Sequence, residues 1–156
     1  MQKRSLDSLK KTLDELDFRQ EWIPELIKYL EDTINKGVVL VLLFGSRAKR
    51  DFSRDSDIDL LIVSQNLPDV RERTLKFFSN RLPVQPFVMT PEELQERIEK
   101  LDFLIFDAFE DGVILFSDTD MEHIKDLLRK SKERFRLVRV KDGWKFDAIV
   151  ANAAGI

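Results

Sequence analysis

Leucine returns at three- and four-residue intervals through SLDSLKKTLDEL, where Leu6, Leu9, Leu13 and Leu16 form one stripe and predict a helix over 5–16. RQEWIPELIKYLEDTINKG repeats the pattern through Trp22, Ile23, Leu26, Ile27, Leu30 and Ile34. Pro24 falls in that helix's first turn and Gly37 just past its end, where each is tolerated best. The helical period then stops. VVLVLLF (38–44) and IDLLIV (58–63) are continuously apolar and too short for helices, so both read as strands buried on two faces.

Downstream, a helix is expected from about Pro68 to Arg81, followed by a weaker strand, VQPFVM (84–89), which Pro86 confines to a sheet edge or makes irregular. TPEELQERIEK opens with Thr90 as cap, Pro91 at the first helical position and Glu93 three residues after the cap, a capping box. DFLIFDAFED predicts a short apolar helix stopped by Gly112, and GVILF another strand. A charged helix covers roughly 118–134. RLVRV and WKFDAIV suggest a hairpin turning at Asp142-Gly143, and NAAGI is expected to fray. Phe103, Phe106, Phe109 and Phe116 read as core. Without repeats or a linker, residues 1–156 are expected to form a single α/β domain, bordering on α+β, with a mixed sheet and flanking helices.

Composition narrows the chemistry. The chain has no cysteine, so a disulfide framework, a thiolate metal site and a thiol nucleophile are excluded. A single histidine, His123 on the charged helix, argues against a histidine-built zinc site or a Ser-His-Asp arrangement. The net charge of −3 argues against a clamp for long nucleic acid. The one basic stretch, KSKERFRLVRVK (130–141), reads as a solvated helix end followed by an exposed strand. Trp144 and Phe146 could stack a base, but packing of the hairpin is the simpler role. No apolar run approaches the ~18 residues of a membrane span, and the start of the chain lacks a signal-peptide core, so a cytoplasmic protein is expected. Heavy use of charged residues, 35% of the chain, hints at a thermophilic source.

The chemistry concentrates in LLFGSRAKRDFSRDSDIDLLIV (42–63). Gly45 and Ser46 turn from a strand into a short helix, RAKRD. There the backbone can approach a ligand closely and free N–H groups can meet phosphate oxygens. Arg47 and Lys49 add positive charge. Asp57 and Asp59 share one face of the next strand, where they repel unless a cation lies between them. Oxygen ligands alone suit Mg²⁺ or Mn²⁺. A metal-bound nucleoside triphosphate fits this pattern. Asp-x-Asp by itself would favour a cap on an exposed strand end, with Gly45-Ser46 an ordinary turn; the Gly-Ser ending one buried strand ten residues before it is the more specific signal.

These residues resemble the signature of the DNA polymerase beta-type nucleotidyltransferase superfamily, Gly-Ser followed about ten residues later by Asp-x-Asp. GSRAKRDFSRDSDIDLLIV is similar to the minimal nucleotidyltransferases of bacteria and archaea, and the likeness runs through LPVQPFVMTPEELQERI and FLIFDAFEDGVILF. It spans residues 20–117 as a nucleotidyltransferase-like core and leaves 118–156 as a helix plus hairpin without a signature. The resemblance implies that Gly45 and Ser46 hold the triphosphate, with Arg47 and Lys49 offsetting its charge. Asp57 and Asp59 would coordinate two Mg²⁺ ions and carry the catalysis, while Arg54 and Asp55 would order the loop. ATP is the expected nucleotide, and transfer of a nucleoside monophosphate to an acceptor hydroxyl the expected reaction.

One position departs from the family. A third carboxylate usually follows on the next strand, where this chain has Gln85, with an amide oxygen but no charge and no useful basicity. An impaired, antitoxin-like nucleotide-binding module is therefore the alternative to an active transferase. The resemblance also implies an α-helical HEPN-type partner, with a homodimer as a further assembly to consider.

Overall fold

The computed structural model describes residues 22–34, 37–45, 48 and 57–147. The helix expected over 5–16, the expected RAKRD helix apart from Ala48, and the segment from 148 onward lie outside them. The elements run α1 (Ile23–Ile34), β1 (Val38–Phe44), β2 (Ile58–Ser64), α2 (Val70–Phe77), β3 (Val84–Met89), α3 (Pro91–Glu99), α4 (Phe103–Asp111), β4 (Val113–Ser117), α5 (Met121–Phe135), β5 (Leu137–Val140) and β6 (Gly143–Phe146).

Four strands form one sheet in the order β3-β2-β1-β4. β1 runs antiparallel to both β2 and β4, whereas β3 runs parallel to β2, so the sheet is mixed as expected. β1 and β2 occupy the centre, which is why both are apolar at nearly every position. Only Val39 and Asp59 in them fall short of full burial. β3 takes an edge, where Pro86 removes no ladder donor that a further strand would need.

Alternation along the strands divides the core into two layers. Leu43, Leu60 and Ile62 face α1, whose Leu26, Leu30 and Ile34 meet them together with Phe77. Leu42, Leu61, Val63 and Met89 face α3, α4 and α5 through Leu94, Ile98, Phe106 and Leu128. The Tyr29 hydroxyl donates to the Phe77 carbonyl at 2.7 Å and ties α1 to the end of α2. Burial pushes that phenol up to about 12.

Local signals account for most boundaries. Thr90 and Glu93 form the reciprocal capping box, each accepting the other's backbone N–H at 3.1 Å. α2 is shorter than the helix expected over 68–81. Asp69 caps its start, and the chain turns extended at Phe78 because the Ser79 hydroxyl accepts from the backbone of Arg81 and Leu82. Gly112 ends α4 as anticipated; a Cβ there would meet the Ala108 carbonyl. The β5–β6 hairpin turns one residue earlier than expected, over Lys141-Asp142, with Gly143 at φ +149° already paired with Val140. Among the four phenylalanines expected in the core, Phe106 and Phe116 are buried and Phe109 half-buried. Phe103, in the first turn of α4, is 43% exposed, so its core assignment is corrected.

Candidate active site

Asp57 immediately precedes β2 and Asp59 is its second residue, so alternation sends both to the face that carries Leu61 and Val63. In the antiparallel register Phe44 stands opposite Asp59, and in the parallel register Gln85 stands beside it. Gln85 shares its parity with Phe87 and Met89, which pack into the same layer. One row across the sheet therefore reads Phe44, Asp59, Gln85, with Asp57 just beyond its end. Asp57 and Gln85 are exposed and Asp59 is half-buried. The Phe44 and Phe87 rings, 5.5 Å apart between centroids, lie in the apolar layer next to this row.

Gly45 closes the arrangement from β1. Its φ of +73° lies in the left-handed region, and a Cβ on it would fall 3.3 Å from the Asp59 carboxyl carbon and still closer to one oxygen. Backbone shape and lack of space both require glycine here. The sequence had suggested only close approach of a ligand; the Asp59 carboxylate is a second neighbour, 14 positions along the chain.

Electrostatics single out Asp59. Burial, and then the negative charge of Asp57, hold its carboxyl above the ordinary carboxylate range. A cation between the two would reverse both effects. The donors are two carboxylates and one amide oxygen, all hard ligands that fit one divalent cation of the Mg²⁺ or Mn²⁺ type. A second ion would find, among the described residues, only the neutral amide of Gln85 beside this pair. Among the described residues, no cluster of three or more His, Asp or Glu side chains is placed to hold a metal.

Ser46, Arg47 and Lys49, together with Arg54 and Asp55, lie outside the described residues. Of the expected phosphate-binding group, only Gly45 is placed.

Other candidates resolve into structure. His123 is exposed on α5. The Trp144 indole donates to Asp107 at 2.7 Å and meets the Phe106 ring edge-on, while Lys132 and Arg139 lie over its ring. In the basic stretch, Lys130 pairs with Asp126, Lys132 with Glu110, and Arg139 with both Asp107 and Asp111. Three of the six cations in this stretch are thus paired within the fold. No helix among the described residues is long and apolar enough to cross a membrane.

A mixed four-stranded sheet that ends in paired carboxylates under a glycine turn is the framework of a nucleotidyltransferase domain. The family described as "Polymerase beta, Nucleotidyltransferase" matches residues 25–121, and the chain belongs to it. No curated protein matches the chain significantly. Among solved structures it is similar to a toxin–antitoxin crystallised with AMP-PNP, at 21% identity over 72% of this chain and 85% of the other, with a TM-score of 0.48. It is also similar to a mutant of the MntA–HpeT toxin–antitoxin, at 18% identity, 72% and 85% coverage and a TM-score of 0.44. A third is a tri-AMPylated Shewanella oneidensis HEPN toxin in complex with MNT antitoxin, at 16% identity, 86% and 87% coverage and a TM-score of 0.40.

Proposed function

We propose that the protein binds a nucleoside triphosphate, ATP in the first instance, with one divalent cation at Asp57 and Asp59, and transfers its nucleoside monophosphate to an acceptor hydroxyl. The observation that carries this reading is the row in which Asp59 lies under Gly45 and beside Gln85. Membership of the nucleotidyltransferase family supports the reaction class. The acceptor oxygen would bond to the α-phosphorus as the bridge to the β-phosphate breaks and pyrophosphate leaves. Mg²⁺ or Mn²⁺, when bound, supplies charge to stabilise the oxygens around that phosphorus. Asp57 and Asp59 hold the cation, Gly45 leaves room for the Asp59 carboxylate and with Ser46 holds the triphosphate, and Arg47 and Lys49 offset its charge. Gln85 cannot take the acceptor's proton, which passes to water.

Incubation with α-labelled ATP, Mg²⁺ and candidate acceptors tests the proposal. Label should appear on an acceptor and vanish in Asp59→Ala; no transfer with any nucleotide, metal or acceptor would refute it.

Gln85 favours a second reading. Here the chain keeps the pocket but not the turnover, and acts by engaging an α-helical HEPN-type partner. Nucleotide binding without transfer, lost in Asp57→Ala, is the result that separates this module from an active enzyme.

A further inference from the structure

The two flanks of the carboxylate pair differ. On the β1 side stands Gly45, whose missing Cβ leaves its place to the Asp59 carboxylate. On the β3 side, the positions that alternation gives the same face are Pro83 and Gln85. Gln85 pairs with Asp59 in the parallel register, and the Pro83 carbonyl accepts the Ile58 N–H at 2.8 Å, next to Asp57. Both are exposed, and neither carries a charge. Among the described residues β3 is an edge of the sheet, so this flank opens outward.

Neighbouring strands lie ~4.8 Å apart, which sets Gly45 and Gln85 ~10 Å from each other across β2. In-line displacement needs the entering oxygen and the leaving pyrophosphate on opposite sides of the α-phosphorus. With the triphosphate held at Gly45, the entering oxygen comes from the side of Gln85. A carboxylate there would draw a proton from an alcohol and repel an anion. The Gln85 amide does neither, since it has no useful basicity and its NH₂ group donates to an anionic oxygen. This flank therefore suits an acceptor that arrives without a proton to lose. A phosphate group is one, being largely dianionic at neutral pH. We propose, on the basis of the nucleotidyl-transfer reading above, that the same site also transfers a nucleoside monophosphate to an acceptor phosphate, with Gln85 as the residue that admits the anion. A phosphate oxygen bonds to the α-phosphorus, the bridge to the β-phosphate breaks with its electron pair, and pyrophosphate leaves. One phosphoanhydride is lost and one is formed. With ATP and inorganic phosphate the products are ADP and pyrophosphate, and the proton of the phosphate passes to the pyrophosphate.

Incubation of the full chain with unlabelled ATP, Mg²⁺ and radiolabelled inorganic phosphate is the test. Wild type should place label in the β-position of ADP, which hydrolysis of ATP cannot do. Gln85→Asp adds a like charge to the entry side and should lower this labelling by ~10-fold or more, although the same change should speed transfer to a hydroxyl. Titration of phosphate into protein saturated with Mg²⁺ and a non-hydrolysable ATP analogue gives a readout without turnover. Binding should be seen in wild type and weakened to the same extent in the variant. A wild-type protein that binds the analogue yet labels no ADP would overturn the proposal and leave the nucleotide site standing. Labelling that rises in Gln85→Asp would overturn it too. Failure to bind the analogue at all would overturn both this activity and the reading beneath it.

Discussion

The carboxylate of Asp59 fills the space that a side chain at Gly45 would need, although the two residues lie on different strands and 14 positions apart. Gly45→Ala therefore meets a left-handed backbone penalty of ~1–2 kcal/mol together with a collision. The variant should lose about 1–3 kcal/mol in denaturant unfolding. In Gly45→Ala, Asp59→Ala the collision is gone but the backbone penalty remains. A double-mutant cycle should show coupling of about 0.5–3 kcal/mol, as befits residues in contact. Strict additivity would mean that the two do not share this space.

The raised carboxyl of Asp59 makes a statement about pH. Its folded form holds a proton at pH values where the unfolded chain has already released it. The stability of the metal-free protein should therefore fall as pH rises from the ordinary carboxylate range through the raised value. Asp59→Asn removes that slope and should make the metal-free protein more stable at neutral pH. Thermal melts of the two proteins between pH 4 and pH 7 would check this, with ~1 mM Mg²⁺ stabilising wild type and not the variant.

Gln85 stands beside Asp59 in the parallel register, so Gln85→Asp places a third carboxylate where one is lacking. The variant should bind Mn²⁺ more tightly and raise the transfer rate by ~10²–10⁴, the usual contribution of a positioned base. Labelled-nucleotide transfer against metal concentration measures both effects. In the metal-free protein the same change should be destabilising, since it adds a like charge to the row.

Arg73 offers a control away from this chemistry. It holds Glu93 at 2.8 Å and also donates to the Pro68 carbonyl, joining α2 to the capping box of α3. The hydrogen bond from Arg73 holds the Glu93 carboxyl below its ordinary range, so this stability is present at neutral pH and lost as pH falls through the lowered value. Arg73→Met should cost about 1.5–3 kcal/mol at pH 7 and less in acid, as charge-assisted bonds of this kind do. Nucleotide binding by the folded variant should be unchanged.

The central strands were legible because they are buried on both faces, which leaves an apolar run that a helix would not need. The same logic exposed Asp59, the polar residue inside such a run. Caps at Thr90 and Gly112 were readable from short-range chemistry. Strand direction was not, since a period of two is the same for parallel and antiparallel neighbours, and the contact between Gly45 and Asp59 exists only once β1 and β2 pair. The end of α2 depends on a Ser79 hydroxyl bond that competes with helix continuation, and the exposure of Phe103 on which side of α4 meets the sheet. The position of Gln85 beside Asp59 was suggested by resemblance to the family, and the β2–β3 register sets the two residues side by side.

The claim that underlies the functional reading is that Asp57 and Asp59 hold a divalent cation together with a triphosphate. Calorimetric titration of a non-hydrolysable ATP analogue in the presence of Mn²⁺ tests it most directly. The account predicts saturable binding at one nucleotide per chain, abolished by Asp57→Ala, by Asp59→Ala and by chelation of the metal. Binding that persists undiminished in both variants, or no binding by the wild-type protein, would contradict it.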